Sequence, residues 1–199
     1  FTDLGRLRRY LAVILSGLPI WFVFAILVSL APEMGAALGL DPAPNAAYAV
    51  LWAYVGIALG DLASGTLSQL LRSRRKVMAL FIGLTAVTLG LYLGLGGRSL
   101  ATFYATCAGV GLASGYWAVF VTTASEQFGT NLRATVTTTA PNFVRGAVPL
   151  LTAGFQALKP ELGVPGAALG VGVACLSVAL LSVWQLEETF GRDLDFVEE

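Results

Sequence analysis

The sequence contains no histidine and only two cysteines, Cys107 and Cys175, both inside apolar stretches. The commonest transition-metal ligand and general base of proteins is therefore missing. Two isolated cysteines offer neither a metal-ligand spacing nor a disulfide framework, and they are typical of small buried hydrophobic residues. We expect no bound metal and no cofactor.

Charged residues are also scarce. They make up 12% of the 199 residues, against 56% hydrophobic residues, whereas soluble domains carry about 25% charged residues. The mean hydropathy is +0.76. A deficit of this size excludes a water-soluble fold, so the expected surroundings are a lipid bilayer, with no nucleic acid as partner.

The apolar residues fall into six blocks, each close to or above the roughly 20 residues that cross a bilayer as a helix. The blocks are 10–31, 46–71, 77–95, 100–124, 134–158 and 164–186. They predict an all-α integral membrane protein with six transmembrane helices in one domain, 10–186. Residues 1–9 are expected to form a cytoplasmic lead-in or central linker, and residues 187–199 a cytoplasmic tail.

Basic residues concentrate on one side of the membrane if the helices alternate in direction. That side carries Arg6, Arg8, Arg9, Arg72, Arg74, Arg75, Lys76, Arg133 and Arg192, and the other side has only Arg98 and Lys159. The positive-inside rule places the basic side, and with it both termini, in the cytoplasm. We expect a bacterial inner membrane.

Glycine and proline shape the predicted spans. Glycines recur at four-residue spacing in four pairs, which are Gly56 and Gly60, Gly90 and Gly94, Gly111 and Gly115, and Gly166 and Gly170. Such pairs let membrane helices approach closely. Pro19, Pro141 and Pro149 lie inside spans and predict kinks or breaks there.

Two ionisable residues lie deep inside spans: Asp61 in the second block and Arg145 in the fifth. An arginine at the centre of a spanning helix costs roughly 2.5–3.5 kcal/mol, so it normally faces a protein interior or a wet cavity. Both residues lie about 15 Å from the basic side at 1.5 Å per residue. Three arrangements are open: a salt bridge between them, a cavity where Arg145 binds an anion and Asp61 carries a proton, or pairing with residues outside these six helices.

Polar and aromatic neighbours add candidates for the lining of such a cavity. Asn142 lies one turn before Arg145, and Tyr116 and Trp117 lie in the fourth block. Asn142 can alternatively bind carbonyls that Pro141 frees. The aromatic residues, together with Trp21 and Tyr54, are more often ordinary packing or interfacial anchors.

Enzyme chemistry finds no support. Ser64-Gly65 and Ser114-Gly115 lack the histidine base that a serine hydrolase needs. Intramembrane aspartyl chemistry needs two acids that share a proton, and only Asp61 lies at depth. There is no phosphate-binding loop, so the sequence predicts neither an enzyme nor an ATP-driven pump.

Three short motifs follow the predicted cytoplasmic side in order. The first is the stretch 65–76, GTLSQLLRSRRK, with Gly65, Arg72, Arg74, Arg75 and Lys76. The second is Glu126 and Arg133, separated by six residues, and the third is Glu188-Thr189-Phe190-Gly191-Arg192. Opposite charges at these positions can brace helix ends and pair across the loops.

Together the motifs resemble those of the major facilitator superfamily. The stretch 65–76 is similar to its G-x-L-x-D-R-x-G-R-R loop, Glu126-x6-Arg133 to its E-x6-R element, and the tail, with Glu188, Thr189 and Gly191, to its P-E-T-x-G signature, typical of metabolite and sugar porters. Gln69, Leu70 and Arg72 replace the loop's Asp, Arg and second Gly, and Glu187 replaces the Pro of the signature.

The resemblance implies the C-terminal six-helix half, helices seven to twelve, of a secondary transporter. Such a protein moves a small polar or anionic solute by alternating access between two halves, with proton symport through Asp61 as one version. The resemblance implies that the basic loop, Glu126 and Arg133 form a cytoplasmic gate. The expected partner is an N-terminal half or a second copy of the chain. A self-pairing half and a channel-like pore are the alternatives.

Overall fold

The computed structural model describes residues 3–197. Within that range the chain forms α-helices and no strand: α1 (Leu4–Ser16), α2 (Leu18–Phe22), α3 (Ala31–Ala37), α4 (Ala46–Leu70), α5 (Arg74–Leu95), α6 (Leu100–Ala113), α7 (Trp117–Glu126), α8 (Thr130–Gly146) and α9 (Val148–Gln185). A π-helical segment, Val23–Val28, continues α2, and a 3-10 turn, Gly96–Arg98, follows α5.

Five helical stretches of the described chain are long and apolar enough to cross a membrane: Leu4–Val28, Ala46–Leu70, Arg74–Arg98, Leu100–Glu126 and Thr130–Gln185. The last has 56 residues, which as one straight helix would measure about 84 Å, against about 30 Å of hydrocarbon. It is interrupted at Ala147 and again at Gly163, where φ is 67° and ψ is 176°. Gly163 divides the stretch into two crossings, one that contains α8 and the start of α9 and one that contains the rest of α9. With the other four stretches, the chain is a multi-pass membrane protein with the expected six crossings.

The first helix starts earlier than the first apolar block. α1 begins at Leu4, inside the segment 1–9 that was expected to precede the membrane. The Asp3 carboxylate accepts hydrogen bonds from the backbone amides of Gly5 (3.1 Å) and Arg6 (3.3 Å). These amides have no partner within the helix, so the N-cap explains why the helix starts here. Phe1 and Thr2 lie outside the described residues.

α4 and the end of α6 pack with backbone against backbone. A Cβ atom added to any of four glycines would lie 2.1–2.5 Å from a backbone atom of the facing segment; these are Gly56, Gly60, Gly111 and Gly115. Real Cβ atoms do not come so close, so only glycine permits this approach. Two of the four predicted glycine pairs are therefore confirmed as close helix contacts.

The other two pairs have different surroundings. A Cβ atom on Gly90 or Gly94 would meet no atom within 4 Å, so these glycines face outward from α5. Gly166 and Gly170 meet side chains of α9 itself, those of Leu162 and Leu158. The spacing is the same in all four pairs, but only the first and third serve the contact between helices.

Three spans are discontinuous. The first breaks at Gly17, and Pro19 lies in the first turn of α2, which then becomes π-helical. The fourth breaks between α6 and α7, and the fifth breaks at Ala147, with Pro149 in the first turn of α9. The predicted interruptions at Pro19 and Pro149 are therefore confirmed. Each proline lies in the first turn of the helix that follows the break, a position that proline suits. Pro141 instead lies inside the continuous α8.

Both described ends of the chain lie at one end of the bundle. The Arg8 side chain donates to Oε1 of Gln185 at 2.9 Å, and Arg9 donates to the backbone carbonyl of Gln127 at 2.8 Å. We call this end the terminal face; it comprises the start of α1, the loops 71–73 and 127–129, and the tail 186–197. At the opposite end, Lys159 forms an ion pair with Glu33.

Candidate functional site

A cavity of about 300 Å³ opens between α2, α4, α7 and α8. We call it the Arg145 cavity; it is lined by Ile20, Trp21, Phe24, Tyr54, Ile57, Asp61, Trp117 and Arg145. The structure thus brings together Arg145, Asp61 and Trp117, which the sequence singles out in three different spans. All three helix discontinuities lie close in sequence to residues that line it.

Arg145 lies in the last turn of α8, and its guanidinium is held by two contacts. Its carbon Cζ lies 5.2 Å from the centre of the Trp21 ring, in cation–π geometry. Its Nη1 donates to Oδ1 of Asn142 at 3.2 Å. Within residues 3–197, Arg145 forms no ion pair with any carboxylate. The guanidinium therefore lies at the cavity without a carboxylate in direct contact.

Asp61 lines the same cavity but is used differently. Its Oδ1 accepts a hydrogen bond at 3.2 Å from the backbone amide of Ala118, in the first turn of α7. The salt bridge to Arg145, one of the three arrangements that the sequence leaves open, is not formed within the described chain. The carboxylate instead lies at the positive end of a helix that starts inside the membrane.

Two tryptophans form an aromatic wall. The rings of Trp21 and Trp117 meet edge to face, with centroids 6.4 Å apart and an interplanar angle of 78°. Nε1 of Trp21 is buried and has no hydrogen-bond partner among the described residues. A buried indole N–H almost always finds an acceptor. The structure therefore leaves one buried donor of the cavity wall unsatisfied within the described residues.

The two remaining sequence candidates, Asn142 and Tyr116, do not line the cavity but contact residues next to it. Asn142 positions Arg145 and also donates from Nδ2 to the carbonyl of Thr138 at 3.0 Å. That carbonyl is one residue beyond the one that Pro141 leaves free. Tyr116 is fully buried, and its hydroxyl donates to the carbonyl of Ser16 at 3.0 Å. Tyr116 thus fastens the fourth span to the first at their breaks.

Several lining residues escape the sequence analysis. Ile20, Phe24 and Ile57 are apolar residues in apolar helices, and nothing in their type marks them. The spacing of Tyr54, Ile57 and Asp61, at i, i+3 and i+7, places them on one face of α4 and is the one available signal. A neighbouring cavity of about 250 Å³ shares Trp21, Phe24 and Tyr54 and continues past Ser29.

The terminal face carries a second constellation, centred on Arg74 and Glu126. Nη2 of Arg74 lies 3.3 Å from Oε1 of Glu126, and the two side chains are only 14% and 12% exposed. Nη1 of Arg74 donates to the Ser68 hydroxyl at 2.8 Å, and the Thr189 hydroxyl donates to Oε2 of Glu126 at 2.6 Å. This network joins the ends of α4, α5 and α7 to the tail.

Glu188 anchors the tail to the start of α5. Its carboxylate accepts a hydrogen bond from the Ser73 hydroxyl and others from the amides of Arg74 (2.8 Å) and Phe190 (3.1 Å). Partial burial raises the pKa of Glu188, but these hydrogen bonds outweigh it and leave the pKa below its usual value. The carboxylate is therefore ionised at neutral pH.

Other residues of the predicted loop motifs have separate surroundings. Arg133 does not meet Glu126; its guanidinium donates to the carbonyls of Ser125 (3.1 Å) and Leu194 (2.5 Å). Gly65 faces open space. Arg72, which stands where the loop motif has its second glycine, adopts a left-handed backbone with φ of 48°. Glycine suits that conformation without steric cost.

Comparisons with known proteins place the fold. A scan against protein-family models finds no match, and a search of curated proteins finds none either. The chain is similar to the crystal structure of the human organic anion transporter MFSD10 (TETRAN), with a TM-score of 0.61 and 21% identity. The match covers 96% of this chain and 50% of that one, so this chain spans about half its length. The chain has the fold of one half of a major-facilitator-type transporter.

Proposed function

We propose that the chain is one half of a secondary transporter that moves a small organic anion across a membrane by alternating access. The observation that carries the proposal is the unpaired guanidinium of Arg145 in a cavity whose other charged residue, Asp61, is engaged by α7. The fold and the organic anion transporter with the similar structure point in the same direction.

The lining fits an anion with an aromatic or apolar body. A guanidinium binds a carboxylate through two parallel hydrogen bonds, which are strong in a partly dry site. The Trp21 ring beneath Arg145 fixes one face of the guanidinium and leaves its edge for a ligand. The volume of about 300 Å³ on this half lies at the lower end of small-molecule sites.

Alternating access requires a rigid half that rocks against a partner around a fixed site. We take the partner to be an N-terminal six-helix half, with a second copy of the chain as the alternative. In this scheme the Arg74–Glu126 ion pair holds the terminal face together, and with it the gate that the loop motifs imply. Proton symport through Asp61 is the finer version of the proposal. The sugar-porter-like branch rests on the tail motif alone.

We further propose that the terminal face lies in the cytoplasm of a bacterial cell, with the chain in the inner membrane. The support is the distribution of arginine and lysine, nine of which lie in or beside the terminal-face segments and two near the other end. Cysteine introduced at Arg192 should then resist a membrane-impermeant thiol reagent in intact cells, whereas cysteine at Arg98 should react. Cysteines 107 and 175 are buried and do not compete.

The test of the transport proposal is counterflow in proteoliposomes that contain the intact protein, with benzoate and succinate as labelled probes. We expect saturable exchange of at least one probe. Arg145→Ala should abolish it, and Arg145→Lys should lose most of it because an ammonium cannot form the bidentate contact. Arg98→Ala, which removes an exposed cation far from the cavity, is the matched control.

Two results would contradict the proposal. Normal exchange by Arg145→Ala would remove Arg145 from the substrate site. Non-saturable flux with single-channel currents in planar bilayers would instead indicate a pore, the rival function. A mass of the solubilised complex equal to two copies of the chain would identify the partner as a second copy.

A further inference from the structure

The terminal face holds a second cavity, of about 480 Å³, between the start of α5 and the end of α9. We call it the basic cavity; it is lined by Arg72, Ser73, Arg75, Lys76, Ala79, Val183, Trp184 and Glu188. It is larger than the Arg145 cavity and shares no lining residue with it. It lies where two spans reach the membrane surface.

The cations of this cavity divide into one that is fixed and two that are available. Arg75 donates to the carbonyls of Val183 (3.3 Å) and Trp184 (3.0 Å), so it ties α5 to the end of α9. The side chains of Arg72 and Lys76 form no hydrogen bond or ion pair with any residue in 3–197, and both are exposed. Two full positive charges therefore face the opening.

The acid in the wall does not neutralise them. The carboxylate oxygens of Glu188 accept hydrogen bonds from Ser73 and from the amides of Arg74, Thr189 and Phe190. Its charge is thus directed at the start of α5 and at the turn of the tail. Counting Arg72, Arg75 and Lys76 against Glu188, the cavity retains a net positive charge.

The surface beside the cavity is apolar. Trp184 is 69% exposed, and Leu181, one turn deeper in α9, is exposed as well. On α5, Leu80 is exposed one turn after Lys76. Further along the helix, Gly90 and Gly94 leave open space where side chains would stand. A tryptophan at the rim of a span, next to lysine and arginine, is typical of a membrane–water interface.

We propose that the basic cavity binds the phosphate of an anionic phospholipid headgroup, while the acyl chains lie against the apolar surfaces of α5 and α9. The cations bind the phosphate, and Trp184 lies at the depth of the glycerol backbone. Basic pockets between helices at a membrane surface bind such headgroups. The proposal depends on the membrane fold and not on what the Arg145 cavity transports, so the two can fail separately.

The test is native mass spectrometry of the intact protein in detergent, titrated with phosphatidylglycerol or with phosphatidylcholine. Phosphatidylglycerol should bind more tightly. Lys76→Gln and Arg72→Gln should each weaken it roughly fivefold, the factor that corresponds to one cation at an anionic surface. Arg98→Gln is the matched control, because it removes one exposed cation at the other end of the bundle, and its affinity should equal that of the unchanged protein.

A parallel titration with inorganic phosphate separates a lipid from a free anion. Protection against thermal unfolding by phosphatidylglycerol, without protection by inorganic phosphate, supports the lipid. Equal protection by inorganic phosphate would overturn the lipid proposal in favour of a soluble anion. Equal affinity for the two lipids, or equal loss in Lys76→Gln and Arg98→Gln, would overturn the site itself.

Discussion

The carboxylate of Asp61, in α4, caps the start of α7 by accepting a hydrogen bond from the amide of Ala118. α7 begins at Trp117 within a membrane-spanning stretch, so its first amides lack partners in their own helix. The N-cap residue Tyr116 makes no side-chain cap. A neighbouring helix therefore supplies the acceptor that an Asp or Ser at the N-cap would normally provide.

This relationship predicts different stabilities for two substitutions of Asp61. Asp61→Ala removes the acceptor and should lower the free energy of unfolding by ~1–2 kcal/mol. Asp61→Asn retains a carbonyl oxygen and should lose less than half of that. Thermal unfolding in detergent, followed by tryptophan fluorescence, measures both. Equal losses in the two variants would mean that the charge matters and the cap does not.

The Asp61→Asn variant also tests proton coupling, separately from the cap. If Asp61 carries the coupled proton, Asp61→Asn should retain downhill counterflow in proteoliposomes but lose accumulation against a gradient. Counterflow retained by this variant would show that it is folded, so a loss of accumulation would not be due to unfolding. Accumulation equal to that of the unchanged protein would exclude Asp61 from coupling.

The glycine contact between α4 and α6 predicts a position-specific cost. Gly60→Ala places a Cβ atom 2.2 Å from the carbonyl oxygen of Leu112, and separating the helices should cost ~1–3 kcal/mol. Gly90→Ala is the matched control, because its Cβ meets nothing within 4 Å. It should gain about 0.5–1 kcal/mol from the reduced flexibility of the unfolded chain. Equal melting temperatures for the two variants would contradict the contact.

The buried ion pair of Arg74 and Glu126 predicts strong non-additivity. Removing either charge alone, by Arg74→Gln or Glu126→Gln, leaves the other buried without its partner and should cost ~3–5 kcal/mol. The double variant should be more stable than the sum of the single losses implies. Denaturation of all four proteins in detergent gives the coupling energy. Additive losses would show that the two side chains do not interact.

The tail contact made by Glu188 should depend on pH. Its folded-state pKa lies below the ordinary value of 4.5, so the stabilisation is complete above that value and is lost as pH falls through the folded-state pKa. Acidification should therefore release the tail, measured as faster proteolysis after residue 186 by an acid-active protease. Glu188→Gln should cleave at the same rate across this pH range. A pH dependence that persists in Glu188→Gln would assign the effect to another group.

The number of crossings follows from the sequence because the length and apolarity of a span are local properties. Six blocks predict six crossings, and Arg145 in a cavity follows from the cost of burying a cation in lipid. The glycine pairs show the limit of this reasoning. Gly56 with Gly60 and Gly90 with Gly94 have the same spacing and equally apolar neighbours, yet only the first pair meets a helix. Which face of a helix finds a partner depends on the whole bundle.

Adjacent residues illustrate the same limit at the site. Tyr116 is buried against Ser16, whereas Trp117 lines the Arg145 cavity. The break between α6 and α7 lies next to them, and its position determines that the Trp117 ring, and not the Tyr116 ring, faces the cavity. Nothing in the composition of this stretch marks the break, because its Ser-Gly-Tyr sequence is also compatible with a continuous membrane helix.

The backbone contact between α4 and α6 has a mechanical consequence. No side chain separates the two main chains at Gly56, Gly60, Gly111 and Gly115, so a relative displacement of α4 and α6 would break direct backbone contacts. The interruptions at Gly17 and Ala147 lie outside this contact, so a bend at either would not separate the two backbones. Ile20 and Arg145 line the Arg145 cavity within three residues of these interruptions, so a ligand in the cavity would lie beside both of them.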